Sequence, residues 1–387
     1  MTVETAGATQ SCGPLSGVRV VELASLGPGP FATMMLADLG ADVVRIDRPA
    51  AGGVFPGKPE EDLLNRGKRS VILDLKQPDA VEVVLGLLES VDVIVEGYRP
   101  GVAERLGLGP DTCLGRNPRL VYGRMTGWGQ TGPLAQSAGH DIGYIAVTGA
   151  LHAIGGAHTG PRVPLNLIGD FGGGGMYLVV GILAALRVAE RTGAGQVVDA
   201  AIVDGAAHLL TGIHAFLNAG AWNDRREANM LDGGAPFYTT YETADGRHMA
   251  VGAIEGKFYA ELLVRLGLDE DPARQHDRRA WPSIRIKLAA AFATRTLAQW
   301  CDVFEGSDAC VAPVVSLREA PTHPHIEARG SIVDHRGLVQ SAPAPRFSLS
   351  RTELGNPPPA PGQHTRDVLT EWGIPDVDDL IERGVAG

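Results

Sequence analysis

The chain has 387 residues, a formal net charge of −11, and 44% hydrophobic against 20% charged residues. This is the length and composition of a globular protein of two domains, and it excludes a disordered chain. The acidic balance argues against a general binder of nucleic acid or anionic membrane, but leaves room for a small anionic ligand gripped by a few local arginines.

The 51 Gly and 26 Pro are spread along the chain, which implies many turns and tight loops and no low-complexity tail. The cysteines, Cys12, Cys113, Cys301 and Cys310, form no CxxC pair. They read as reduced, structural thiols of a cytosolic protein. The first dozen residues lack the basic and apolar regions of a signal peptide, so a cytoplasmic location is expected. The most apolar stretch, Met176 to Val188, is too short to read as a membrane span.

Order begins near Gly13. Val18 to Leu23 reads as a buried strand, Gly27-Pro28-Gly29-Pro30 as a turn, Phe31 to Leu39 as an amphipathic helix and Val43 to Ile46 as the next strand. This β-loop-α-β start predicts a parallel, Rossmann-like sheet. It is not a dinucleotide fingerprint, because GPGP lacks the G-x-G-x-x-G spacing. The alternation continues with strands at Ser70 to Asp74, Val91 to Glu96 and Leu120 to Met125, and a helix at Pro78 to Leu88. A helix from about Gly174 to Arg191 then precedes a strand at Gly195 to Ala200. Beyond residue 201 the character changes. A hairpin of Tyr238 to Thr243 and His248 to Gly252, turning at Ala244-Asp245-Gly246, precedes helical sequence to about Val303. We expect an α/β chain: a large domain at 13–200, a linker helix at 201–228, a small α+β domain at 229–318 and a return linker at 319–341. The Pro-rich tail 342–387, ending in a helix at Thr365 to Trp372, is expected to complete the large domain.

Four segments carry candidate chemistry. In Gly139-His140-Asp141-Ile142-Gly143-Tyr144, His140 suits proton transfer because imidazole titrates nearest neutrality. A lone His in a helix-starting segment is more often structural than catalytic, and Asp141 either caps a helix or orients the ring. In Asn166-Leu167-Ile168-Gly169-Asp170-Phe171-Gly172-Gly173, Asp170 reads as an N-cap, or as a carboxylate held at a helix N-terminus beside glycines that let a bulky ligand approach. Glu255 follows an apolar strand, as a solvated loop residue or as a site residue. The last is a dispersed basic set: Arg48, Asn65 to Ser70, Lys76, Tyr98-Arg99-Pro100-Gly101 and Arg105. Several fall just after strands, where parallel sheets hold ligands, and they suit phosphate as well as they suit an ordinary surface. No metal-ligand cluster is evident.

Taken together, these segments resemble the class III (formyl-CoA-transferase-like) CoA-transferase superfamily, and within it the α-methylacyl-CoA racemase branch. The resemblance runs from Gly13-Pro14-Leu15 to the tail. It rests on Gly27-Pro28-Gly29-Pro30, Ala41 to Asp47, Glu96 to Gly101, Gly127-Trp128-Gly129-Gln130-Thr131-Gly132-Pro133, Gly139 to Ile142, Asp170-Phe171, Leu231 to Tyr238 and Val251 to Glu255. The resemblance implies a CoA-binding domain, a small domain and two chains interlocked as a homodimer. It implies His140 and Asp170 as the proton-transfer pair with Glu255 supporting the His. It also implies Arg48, Leu73, Lys76, Gly97, Tyr98, Arg99, Arg105 and Tyr144 as CoA-binding residues, Leu73 through its backbone. Asp141, Asn166, Gly172 and Gly173 would support the site. The substrate implied is an acyl-CoA, with no further cofactor.

Racemisation needs one base on each face of a planar enolate, and His140 and Asp170 would be those two bases. The alternative within the superfamily is a CoA-transferase, with Asp170 as the nucleophile that forms an aspartyl-CoA thioester. Transferases tend to carry a Tyr-Asp or similar pair where this chain has His140-Asp141, and a Gly-rich loop near the position of Glu255. Both differences favour the racemase branch. Two departures from that branch stand out: Gly143 replaces its usual Asn, and Gly256-Lys257 replaces its usual Pro-Gln.

Overall fold

The structure is a computed structural model that describes residues 13–49 and 55–387; Cys12 and the rest of the first dozen residues lie outside the described residues. The chain divides into two units. The first comprises Met1–Thr148, Leu165–Leu209 and Pro324–Gly387; the second comprises Gly149–Pro164 and Leu210–His323.

The first unit is built on six parallel strands: β1 (Arg19–Leu23), β2 (Asp42–Asp47), β3 (Lys68–Ile72), β4 (Val93–Glu96), β5 (Val121–Thr126) and β6 (Gln196–Ala201). Their order across the sheet is β3-β2-β1-β4-β5-β6. The expected α/β class is therefore the observed one. β1 and β4 read as near-continuous apolar runs because both faces of the sheet are covered. One face packs on Val84, Leu87 and Leu88 of α2 (Pro78–Leu88) and on Val368, Leu369 and Trp372 of the tail. The other packs on Ala32 and Leu36 of α1 (Pro28–Asp38) and on Leu178, Val179, Ile182 and Ala185 of a long later helix.

The chain leaves β1 in one direction, through β2 and β3, then returns to β4 and proceeds the other way. The strand order thus reverses between β1 and β4, and the crevice at their carboxyl ends is where such sheets hold ligands. Two short helices follow β4: α3 (Val102–Arg105) and α4 (Pro110–Arg116). After β5 comes α5 (Asp141–Val147).

Two local differences from the sequence reading matter to the site. First, α1 begins at Pro28, not after the GPGP segment. Proline fits the first helical turn because its missing N–H is one the helix would leave unpaired anyway. Second, the helix expected from Gly174 starts earlier, as a nine-residue π-helical stretch, Leu167–Gly175, that runs into α6 (Met176–Thr192). The Phe171 N–H donates to the Asn166 carbonyl five residues back, at 3.3 Å. Local π-helical geometry at the start of or within an α-helix is found often at functional sites. The continuous helix Leu167–Thr192 is long and apolar enough to cross a membrane by length and composition alone. In this fold it buries a stripe on the sheet, with Leu178 and Ile182 lying over Gly123 of β5. The helix α7 (Ile202–Leu209) closes this part of the unit.

Residues 324–387 belong to the same unit and pin the sheet edge. The Gly67 N–H donates to Asn356 O at 2.8 Å, and the Ile72 N–H to Thr365 Oγ1 at 3.1 Å.

The second unit is a small α+β body. Tyr238–Glu242, His248–Gly252 and Val311–Pro313 form an antiparallel sheet with His248–Gly252 in the middle. Helices Gly256–Leu266, Trp281–Phe292 and Leu297–Phe304 pack on it around Phe237, Tyr241, Tyr259, Phe292 and Trp300. Thr296 and Gln299 close a reciprocal capping box on the last helix.

Candidate active site

Asp170 sits in the π-helical stretch, half-buried. Phe171 beside it stacks on Phe31 of α1, with ring centroids 4.5 Å apart, which fixes the stretch against the first helix. Asn166 Nδ2 donates to Asp170 Oδ2 at 3.2 Å. The Asp170 backbone N–H donates to Asp141 Oδ2 at 2.6 Å. Burial raises the Asp170 carboxyl above its ordinary pKa; the Asn166 hydrogen bond opposes this, the Asp141 charge adds to it, and His140 opposes it. Gly27, with φ +67°, covers the carboxylate: a Cβ there would lie 3.1 Å from Asp170 Oδ2. The GPGP segment therefore begins with a residue that leaves this carboxylate clear.

The glycines after Asp170 do a different job from the one their sequence suggests. A Cβ on Gly173 would lie 2.7 Å from the Ala206 backbone nitrogen of α7, and one on Gly174 would meet Pro28, Met125 and Ile202. Gly172 packs near Leu209 and the Leu167 carbonyl. Gly173 and Gly174, both buried, let neighbouring segments of the protein pack closely, and Gly172 is half-buried.

His140 is the N-cap of α5, extended at φ −137° and exposed, and its carbonyl accepts from the Gly143 N–H at 2.8 Å. Asp141 does not orient the imidazole: its side chain is buried and holds the Asp170 backbone, and its Oδ1 has no partner among the described residues. His140 and Asp170 are thus linked through one intervening side chain. Tyr144, one turn further along α5, stands edge-on to Trp128 at 4.8 Å, with Gly127 and Gly139 closed against its ring. Burial raises its hydroxyl pKa; Asp170 adds to this and Arg99 opposes it, so Tyr144 stands electrostatically between the carboxylate and a basic group.

That basic group lies at the strand-order reversal. Arg48 follows β2 and its guanidinium lies 5.9 Å from the Tyr98 ring centroid. Tyr98 and Arg99 follow β4, and Arg105 ends α3. Gly97 faces Ser25 after β1 so closely that a Cβ would lie 2.8 Å from the Ser25 Cβ. The Ser25 hydroxyl is buried without a partner among the described residues, a feature invisible in the sequence. Arg99 and Arg105 are exposed.

The remaining basic residues of the sequence reading are used otherwise. Arg66 is buried against Asp38 at 2.6 Å, Lys68 is fully buried against Glu22 at 2.7 Å, and Arg69 pairs with Asp42 and Glu371. Their charge serves the fold. Leu73 is fully buried, and its N–H already donates to Asp47 O. Lys76 stands exposed beyond it.

Glu255 belongs to the second unit, as the exposed N-cap of Gly256–Leu266. The loop before it is held by Gln275, almost wholly buried, whose Nε2 donates to Ala253 O at 2.9 Å and Ile254 O at 2.7 Å. The sequence reading missed Gln275, since nothing local marks a glutamine twenty residues downstream as an anchor. Lys257 Nζ lies 4.5 Å from the Phe258 ring centroid. Among the described residues, no group of three or more His, Cys, Asp or Glu side chains gathers as a metal site.

A parallel sheet with cations gathered at its reversal point is the architecture in which α/β proteins hold phosphate-bearing ligands. The family described as CoA-transferase family III matches residues 15–365. The chain is 48% identical to the alpha-methylacyl-CoA racemase of Mus musculus over 365 residues, covering 93% of each. It is 46% identical to that of Homo sapiens over 370 residues, covering 93% of this chain and 94% of the other. A crystal structure of a CAIB/BAIF family protein from Brucella suis is similar with a TM-score of 0.77 at 26% identity, covering 93% of this chain and 100% of that one. The chain belongs to CoA-transferase family III.

Proposed function

We propose that the chain is an isomerase that interconverts the (R) and (S) forms of 2-methylacyl-CoA thioesters by removing and returning the α-proton. The observation that carries this reading is the 48% identity, over 93% of the chain, to a relative named as such a racemase, in a sequence with His at position 140.

The α-C–H of a thioester is a very weak acid, so its removal needs a positioned base and a water-poor site that stabilises the enolate oxygen. Asp170 and His140 are the two bases. Burial that raises the Asp170 pKa moves it toward the working range of a general acid-base group. One residue takes the proton from one face of the α-carbon while the other delivers a proton to the opposite face. Arg48, Tyr98, Arg99 and Arg105 hold the phosphates of CoA, which leaves the thioester end for Asp170. Glu255 supports His140, and a homodimer of interlocked chains assembles the site. No cofactor beyond the substrate's own CoA is called for.

The test is to incubate the enzyme with a single epimer of a 2-methylacyl-CoA in deuterated water. The other epimer should form with deuterium at the α-carbon, and no incorporation with any branched acyl-CoA would overturn the reading. His140→Ala and Asp170→Ala should each abolish interconversion while CoA still binds; an active single variant refutes the two-base scheme. Trapping with hydroxylamine in the presence of a free acid acceptor separates the alternative. Modification of Asp170 together with CoA transfer would mean that this carboxylate attacks the thioester.

A further inference from the structure

The turn that carries Tyr98, Arg99 and Arg105 is held from behind by Glu96 and Arg124, with Glu104 at its far end. Glu96, at the end of β4, is fully buried. Its Oε2 accepts the Tyr98 backbone N–H at 2.6 Å, and its Oε1 accepts Arg124 Nε at 2.9 Å. Arg124 comes from β5, directly opposite Glu96 in the strand register. Its other edge grips Glu104 of α3, with NH1 to Oε1 at 2.9 Å. Glu104 is the neighbour of Arg105, whose guanidinium lies back over Gly101: a Cβ on Gly101 would lie 3.1 Å from its NH1. One guanidinium thus bonds both ends of the segment 96–105. Glu96, the buried one of the two carboxylates it joins, would otherwise stand without a counter-charge behind the basic groups. Burial already raises the Glu96 pKa, the Tyr98 N–H and Arg124 oppose this, and the Glu104 charge adds to it.

We propose that Arg124 is the positioning residue of the phosphate-binding turn, setting the spacing of Tyr98, Arg99 and Arg105 and neutralising the two carboxylates behind them. The proposal rests on the reading of those residues as holders of the CoA phosphates. Arg124 touches no substrate. Its planar fork meets one carboxylate on each of two edges, which the single ammonium of a lysine cannot do. Loss of the fork loosens the turn and leaves ordering of the turn to be borne at the moment of binding.

The experiment compares wild type with Arg124→Lys and Glu104→Gln on two substrates: a 2-methylacyl-CoA and the same acyl group on pantetheine, which lacks the nucleotide and its 3′-phosphate. Binding of CoA itself is measured in parallel by titration calorimetry. In Arg124→Lys, both KM for the acyl-CoA and Kd for CoA should rise about tenfold with kcat changed by less than about twofold. With acyl-pantetheine, the ratio of the variant's KM to that of wild type should return to about one. Equal losses on both substrates, or an unchanged Kd in a folded variant, overturn the proposal. If Arg124→Lys does not fold, Glu104→Gln carries the same comparison, because the Glu104 side chain is 43% exposed and its amide isostere loosens only one end. There a selective rise of about threefold is expected, and no rise overturns the proposal. A wild-type chain that binds no CoA overturns the acyl-CoA reading as well. Wild type that binds CoA alongside a variant with unchanged affinity overturns only the role of Arg124.

Discussion

Residues 65–70 hold Arg66, Lys68 and Arg69, and residues 98–105 hold Arg99 and Arg105. Both segments adjoin strands of one parallel sheet, and in sequence both look like phosphate grips. In the first, every cation has a carboxylate partner within the unit, at 2.6 Å for Arg66 and 2.7 Å for Lys68. In the second, the carboxylates are engaged from behind by Arg124, and Arg99 and Arg105 face outward without a carboxylate partner among the described residues. A basic residue serves the fold or a ligand according to whether the protein supplies its counter-charge. That information lies in the partner, not in the basic residue.

The hardest test of this contrast is Lys68. It is fully buried, its ammonium bonds Glu22, Asn65 and Pro30 O, and burial lowers its pKa against the opposing pull of Glu22. Lys68→Ala strands a buried carboxylate, so urea unfolding should show a loss of about 3–5 kcal/mol. The protein that remains folded should keep its affinity for CoA. A selective loss of CoA binding at full stability would break the contrast, by putting Lys68 in the ligand site.

Arg99→Ala should do the reverse. We expect the affinity for CoA to fall about tenfold, as for a lost charge-assisted contact to phosphate. Stability should stay within about 0.5 kcal/mol, because no buried partner is left behind. Raising the salt concentration should narrow the gap between variant and wild type, since the contact is exposed. A Tm drop comparable to that of Lys68→Ala would show that Arg99 is a structural cation.

The degree to which this was legible in the sequence follows the range of the interactions. The six strands of the parallel sheet fall within a residue or two of where the sequence places them, and the inner ones do so because a strand covered on both faces announces itself locally, whereas the short strands Val311–Pro313, Ile332–His335 and Leu338–Ser341 were not placed. The start of α1 was misplaced because Gly-Pro-Gly-Pro reads as a turn, while its first proline suits a helix start equally well. The π turn around Asp170 has no local signature, since it depends on Phe31 stacking and on α7 lying against Gly173. The basic segment 65–70 was ambiguous because its acceptors sit far away in sequence: Glu22 is 46 residues from Lys68, and Asp38 is 28 from Arg66. His140, Asp141 and Asp170 were each legible as candidates. The bond from the Asp170 N–H to Asp141, which ties them together, spans 29 residues and was not.

Asp170 sharpens the contrast from the acidic side, as a half-buried carboxylate with an amide donor and no cation bonded to it among the described residues. Its folded pKa is raised above 3.8, so the folded state holds the proton more tightly than the unfolded chain does. Its contribution to stability is complete below the unfolded value and is lost as pH rises through the folded one. Asp170→Asn carries no such loss. Near neutral pH the variant should melt above wild type, and the difference should close as the pH falls to about 3. The same variant should be inactive in the deuterium assay. A lower Tm for the variant at neutrality would mean that a cation supports this carboxylate after all.

The smallest effect is expected at Arg69, the intermediate case. Its guanidinium donates from Nε to Asp42 at 3.0 Å and from NH1 to Glu371 at 2.6 Å, and lies 5.5 Å from the Trp372 ring centroid. The side-chain exposures are 22% for Arg69, 38% for Asp42 and 55% for Glu371, so water already screens both acids. Replacing Arg69 by Ala leaves those carboxylates solvated, where Lys68→Ala leaves Glu22 dry. The loss should therefore stay at about 0.5–1 kcal/mol, part of it from the ring contact. Asp42→Asn should reproduce only the ionic part, and added salt should erase most of that part while sparing the rest. A loss at Arg69 as large as that at Lys68 would show that the number of carboxylate partners, and not their burial, sets what these cations contribute.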